Sequence, residues 1–136
     1  MKMFAAMFCA AMVFALAGCS KEDFEKDIIG TWKVTNVTMS ETYQGQTHTE
    51  SAVPEGDNRI TFKEDKTFQA TTDGEVEASG TWSIKDDKLT FNTTYGEMMG
   101  DFETVTVDID GNSMTFSMSE SHDQMRVNIV VSLKKV

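Results

Sequence analysis

The sequence predicts an all-β fold: an antiparallel up-and-down barrel of about eight to nine strands, preceded by a short helix. Three observations predict it. From Trp32 to Leu133 the apolar residues recur at every second position, the period of a strand with one buried face. Turn-forming pairs such as Asp73-Gly74 and Asp86-Asp87 separate these rows at short intervals. The connections are too short for parallel crossovers, which need a dozen or more residues each. The chain has 136 residues, enough for one domain.

In chain order, Met1-Lys2 is a short positive start, and Met3 to Ala17 is an unbroken apolar run. As a helix that run would span roughly 22 Å, short of the ~30 Å hydrocarbon core, so it suits an export signal rather than a resident span. Leu16-Ala17-Gly18-Cys19 resembles the lipobox of bacterial lipoproteins. The resemblance implies that the Cys19 thiolate takes a diacylglyceryl group and that cleavage falls before it. Residues 1–18 then form a lipoprotein signal peptide, 19–29 a lipidated tether with a short helix, and 30–136 the barrel domain. Cys9 leaves with the signal, so the remaining chain has neither a disulfide nor a free thiol. Ser20-Lys21-Glu22-Asp23 resembles the signal that carries some lipoproteins to the outer face of the outer membrane. The expected location is the outer membrane, lipid-anchored at Cys19 and surface-exposed. Phe24 and Ile28 then recur at helical spacing within residues 21–29.

Strands are expected at 31–39, 58–63, 67–72, 75–84, 88–94, 102–109, 113–119 and 125–134, with a weaker ninth at 47–53. The inward rows read Trp32-Val34, Ile60-Phe62, Phe68-Ala70-Thr72, Val76-Ala78-Gly80-Trp82-Ile84 and Leu89-Phe91. They continue as Val105-Val107-Ile109, Met114-Phe116-Met118 and Met125 through Leu133. Closing the meander on itself removes its exposed edges. A sandwich would need longer connections, which only 40–57 and 94–101 offer. Gly30-Thr31-Trp32 recurs as Gly80-Thr81-Trp82, which reads as two similar strands rather than a duplication.

Twelve Lys plus Arg stand against 22 Asp plus Glu, a formal charge of −10. That balance argues against nucleic acid as a partner. Catalysis has no foothold, so no enzyme and no cofactor are expected. Asp86-Asp87 lies in a turn, and no Ser sits in a nucleophile elbow. His48 and His122 have too few neighbouring ligand residues for zinc and read as solvent-exposed. Asp108-x-Asp110-Gly111-Asn112 hints at a calcium loop. Placing Gly111 sixth puts Thr106 first and Ser117 twelfth, where acidic ligands are needed, so the segment reads as a hairpin turn. No metal is expected.

Ile29-Gly30-Thr31-Trp32, a Phe-rich hairpin, and then Gly80-Thr81-Trp82-Ser83-Ile84 before an Asp-Asp turn resemble the small lipocalin-like domains of bacterial lipoproteins, over roughly 24–134. The resemblance implies a barrel whose first-strand Trp plugs one end. Lipocalins pack an Arg over that Trp. Arg126 is the candidate here, but the alternation of its strand points it outward. Trp32, Phe62, Phe68, Trp82, Phe91 and Phe116 are the candidate ligand-binding residues. In a wide barrel they line an apolar pocket; in a narrow one they are the core. Met98-Met99 reads as a loop cap over the barrel. The first expectation is a small apolar ligand in this interior. The alternative is a filled barrel that acts as a structural or interaction protein of the envelope, binding a protein partner through its exterior or through the 40–57 segment.

Overall fold

The structure is a computed structural model that describes residues 24–97 and 104–136. A helical turn over 24–27 leads into nine strands among the described residues. They are β1 (Gly30–Tyr43), β2 (Gln46–Ala52), β3 (Asn58–Phe62), β4 (Thr67–Thr72) and β5 (Glu75–Lys85), then β6 (Lys88–Gly96), β7 (Thr104–Asp110), β8 (Ser113–His122) and β9 (Met125–Lys135). All pairings are antiparallel, in the order β2-β1-β3-β4-β5-β6-β7-β8-β9, and β1 also pairs with β9. That last pairing closes eight strands into a barrel. β2 is left over as an extra strand on the edge of β1.

β1 makes this possible by being long. Its first residues, Gly30 to Lys33, pair with β3, and its second half, Val37 to Tyr43, pairs with β2. Its other edge pairs with β9 from Trp32–Lys135 to Tyr43–Met125. The β1–β2 hairpin and the facing ends of β8 and β9 therefore form an arm beyond the barrel wall. The 40–57 segment, read from the sequence as a long connection with a weak strand, is mostly this arm. The turn residues Gln44 and Gly45 both have positive φ, 50° and 79°, as a two-residue type I′ turn requires.

The alternation placed the core correctly in every barrel strand. Trp32, Ile60, Phe62, Phe68, Ala78, Trp82, Leu89, Phe91, Val105, Val107, Met114, Phe116, Met118, Val131 and Leu133 are all buried. Val76 and Met125 are the exceptions, at 40% and 39% exposed, Met125 because it lies on the arm beyond the barrel wall. A bulge shifts the register between Ala70 and Thr71, so Thr71 pairs with Val76 while Ala70 pairs with Ala78. The extra residue puts Val76 out of phase with the inward row. A second bulge, where the register shifts between Ser79 and Gly80, leaves Thr94 as an extra residue in β6. A Cβ on Gly80 would lie 2.0 Å from the Asn92 carbonyl oxygen, so only glycine permits this approach. The Asp110-Gly111-Asn112 segment is a hairpin turn, closed by the Asp110–Ser113 pair. The signal, the lipobox with Cys19, the Ser20–Asp23 segment and Met98-Met99 lie outside the described residues.

Candidate functional site

The barrel has a closed end and an open end. The 24–27 turn covers the closed end and buries Ile28, whose carbonyl accepts a 2.8 Å hydrogen bond from Trp32 Nε1. Both tryptophans of the Gly-Thr-Trp repeat lie on this floor, each under a lysine. Lys135 Nζ sits 5.4 Å from the Trp32 ring centroid and 3.5 Å from the Asp27 carbonyl oxygen. Lys66 Nζ sits 4.4 Å from the Trp82 ring and pairs with Glu25. The cation over the first-strand Trp is thus Lys135. Arg126 pairs with Thr42 and Ser121 at the far end of β9, and is on the face opposite Val127, as the alternation implies. No signal in the sequence singled out Lys135. It reaches Trp32 only because β9 closes against β1 in the register Trp32–Lys135.

Above the floor four of the six candidate ligand-binding residues, Phe62, Phe68, Phe91 and Phe116, form an aromatic cluster that rests on Trp82. Phe62 contacts Trp82, Phe91 and Phe116 at centroid separations of 5.7, 6.0 and 6.5 Å. Phe91 also meets Phe68 at 5.0 Å and Phe116 at 6.1 Å, edge to face. Trp32, Phe62, Phe68, Trp82, Phe91 and Phe116 are each at most 5% exposed. At this level the barrel is filled by its own side chains.

The space lies higher. A cleft of about 320 Å³ opens beside the upper ends of β1, β3, β4 and β5. Its apolar wall is Val34, Val37, Ile60 and Ala70. Ile60 belongs to the core, and the other three pack against it, so the cleft rests on the top of the filled interior. None of the six aromatic candidates lines it. Pro54 and the polar residues Asn58, Arg59, Thr72, Glu77 and Glu97 form the rim. Thr72 donates a 2.9 Å hydrogen bond to Asn58 Oδ1, and Arg59 Nε is 3.0 Å from both Asp57 carboxylate oxygens. The hydrogen bond from Arg59 holds the Asp57 carboxyl below its ordinary value. Alternation found Val34, Ile60 and Ala70, which belong to the inward rows, but not Val37, which is out of phase with Trp32 and Val34 and joins the wall because a bulge shifts the register between Val34 and Asn36. It gave no reason to place the gap at Ala70 rather than beside a phenylalanine, because cross-barrel distances are not local information.

Beyond the cleft the arm carries the inward face onward. Val37, Met39, Glu41 and Tyr43 of β1 lie opposite Val131, Ile129, Val127 and Met125 of β9. On the other side they meet Ala52, Glu50, His48 and Gln46 of β2. Met39, Tyr43 and Met125 are 41%, 54% and 39% exposed. His48 and His122 are both exposed. His48 Nε2 is 3.0 Å from Glu50 Oε1. That hydrogen bond, with the nearby Glu50 and Glu41 charges, raises the His48 pKa above its usual 6.5. No cluster of three or more His, Cys, Asp or Glu side chains is arranged to hold a metal among the described residues.

The closed antiparallel barrel thus carries a tryptophan floor at one end and an apolar cleft toward the other. Residues 28–116 match the lipocalin-like domain family, and the chain belongs to it. No curated protein matches the chain.

Proposed function

We propose that the protein is a lipid-anchored, non-catalytic binding protein of the outer membrane. It is held at Cys19, displayed at the surface, and takes a small apolar ligand in the cleft over Val34, Val37, Ile60 and Ala70. The observation that carries this reading is that cleft: an apolar wall with a polar rim, resting on a closed core. The ligand site is accordingly set above the six aromatic residues, whose role is to fill and stiffen the barrel beneath it.

Two experiments test the parts separately. Native mass spectrometry of the protein purified gently from a lipid-containing cell should show a bound mass that Ala70→Phe removes, because a phenyl ring at that position fills the cleft. A bound mass unaffected by Ala70→Phe, in a folded variant, would place the ligand elsewhere. For the anchor, cells fed radioactive fatty acid should label the protein, and Cys19→Ala should abolish the label; persistent label would refute lipidation at that residue.

A second reading is a structural or interaction protein of the envelope. The packed aromatic interior and the solvent-exposed arm favour it. Failure to detect any bound mass, before and after incubation with a lipid extract, would favour this reading over the first.

A further inference from the structure

The arm ends in a strand with a bare edge. Among the described residues, all seven of β2 are exposed, and the strand is hydrogen-bonded only to β1. The edge carries no Pro, no Lys and no bulge, the usual devices that keep such an edge from pairing. Its register with β1 decides which main-chain groups are free. The two-residue turn makes Tyr43–Gln46 the closing hydrogen-bonded pair, and the pattern then alternates through Glu41–His48 and Met39–Glu50. The amides and carbonyls of Gln46, His48 and Glu50 therefore face β1. Those of Thr47, Thr49 and Ser51 point out from the sheet.

This edge is complementary to itself. Two copies of β2 placed antiparallel about a two-fold axis at Thr49 overlap along the whole strand. Thr49 meets Thr49, and Thr47 meets Ser51 in both directions, in the hydrogen-bonded pairs that the free groups require. His48 then faces Glu50 of the other copy, and Glu50 faces His48, in the closer pairs not hydrogen-bonded through the main chain. Opposite charges or hydrogen-bonding partners directly across a sheet stabilise it, and like charges destabilise it. The neighbouring registers in the same phase fail on this ground. A shift of two one way sets Glu50 against Glu50, and the other way sets His48 against His48. On the opposite face the hydroxyl ladder is already built within one chain: Thr38–Ser51 at 2.9 Å, Ser40–Thr49 at 3.1 Å and Thr42–Thr47 at 2.9 Å. Pairing would continue that ladder from one copy into the next.

The geometry points to a second copy of this chain as the occupant of the β2 edge, joined through a continuous sheet that runs β1-β2 into β2-β1. The two-fold is isologous, so the contact closes at two copies. The proposal is independent of whether the cleft holds a ligand.

Disulfide trapping of the full chain tests it, with the wild type as the blank for Cys9 and Cys19. Thr49→Cys should form a disulfide dimer under mild oxidation, since hydrogen-bonded pairs set Cα atoms about 5.5 Å apart, within disulfide reach. Thr47→Cys alone should not, because the two copies of that residue would stand about 14 Å apart along the strands. Mixing Thr47→Cys with Ser51→Cys should restore the cross-link as a heterodimer. In the Thr49→Cys chain, Glu50→Lys should cut the dimer yield about fivefold, and adding His48→Glu should recover it. Equal cross-linking at positions 47 and 49, or none at 49, would overturn the pairing. A yield unchanged by Glu50→Lys would overturn the His48–Glu50 register.

Discussion

Trp32 joins the two ends of the chain. Its indole donates to the Ile28 carbonyl, its ring lies under Lys135, and it is fully buried. Trp32→Ala should cost about 3–5 kcal/mol in urea unfolding, the range for deleting a large buried aromatic. Lys135→Ala should cost only about 0.5–1 kcal/mol, since its cation–π contact is at the surface. Gly80 carries a different constraint. Gly80→Ala forces β5 away from the Asn92 carbonyl, and the expected outcome is a loss of about 1–3 kcal/mol with amide exchange quickened along the β5–β6 ladder. His48 titrates above its usual value because Glu50 accepts its hydrogen bond. The raised folded pKa means that any stability from this pair is present below pH 6.5 and lost as pH rises through the folded pKa. An NMR titration should show the His48 midpoint falling in Glu50→Gln. An unchanged midpoint would show that Glu50 is not the cause.

At the scale of elements, β1 organises the molecule. Among the described residues it is the one strand with three partners, β2, β3 and β9, and the bulge between Val34 and Asn36 lets it bend from the barrel wall into the arm. β2 was only weakly legible because THTESA buries nothing. With no buried face there is no apolar row, and alternation is silent. Its better signal was the Gln44-Gly45 turn, at a position where the sequence suggested only a long connection. Thr49→Pro should leave the barrel intact, because the lost N–H points out from the edge of the sheet and not to β1. Circular dichroism and the thermal midpoint should match the parent within the small range of surface substitutions. A large drop would show that the Thr49 amide serves the fold itself.

At the scale of the whole molecule, closure depends on pairing the first strand with the last. Contacts that distant in sequence are paid for in loop entropy before they stabilise anything, so folding should be slow, on the order of milliseconds to seconds. A chain ending at Asp123 lacks β9, and with it Val131 and Leu133 of the core. It should show no near-ultraviolet circular dichroism from Trp32 and Trp82 and no cooperative unfolding. Cooperative unfolding of that fragment would mean that the remaining strands close without β9. The sequence by itself determined the strand rows of the barrel, most of its turns and inward residues, and the antiparallel class, because period-two burial and turn chemistry are properties of neighbouring residues. The tertiary structure alone decided that Lys135 caps Trp32, that Val76 turns outward, and that the aromatic rows fill the interior while the cleft opens above them. It also decided that β2 is left with a free edge. Each of these depends on register and on distances across the barrel, which arise only when strands remote in sequence are brought into contact.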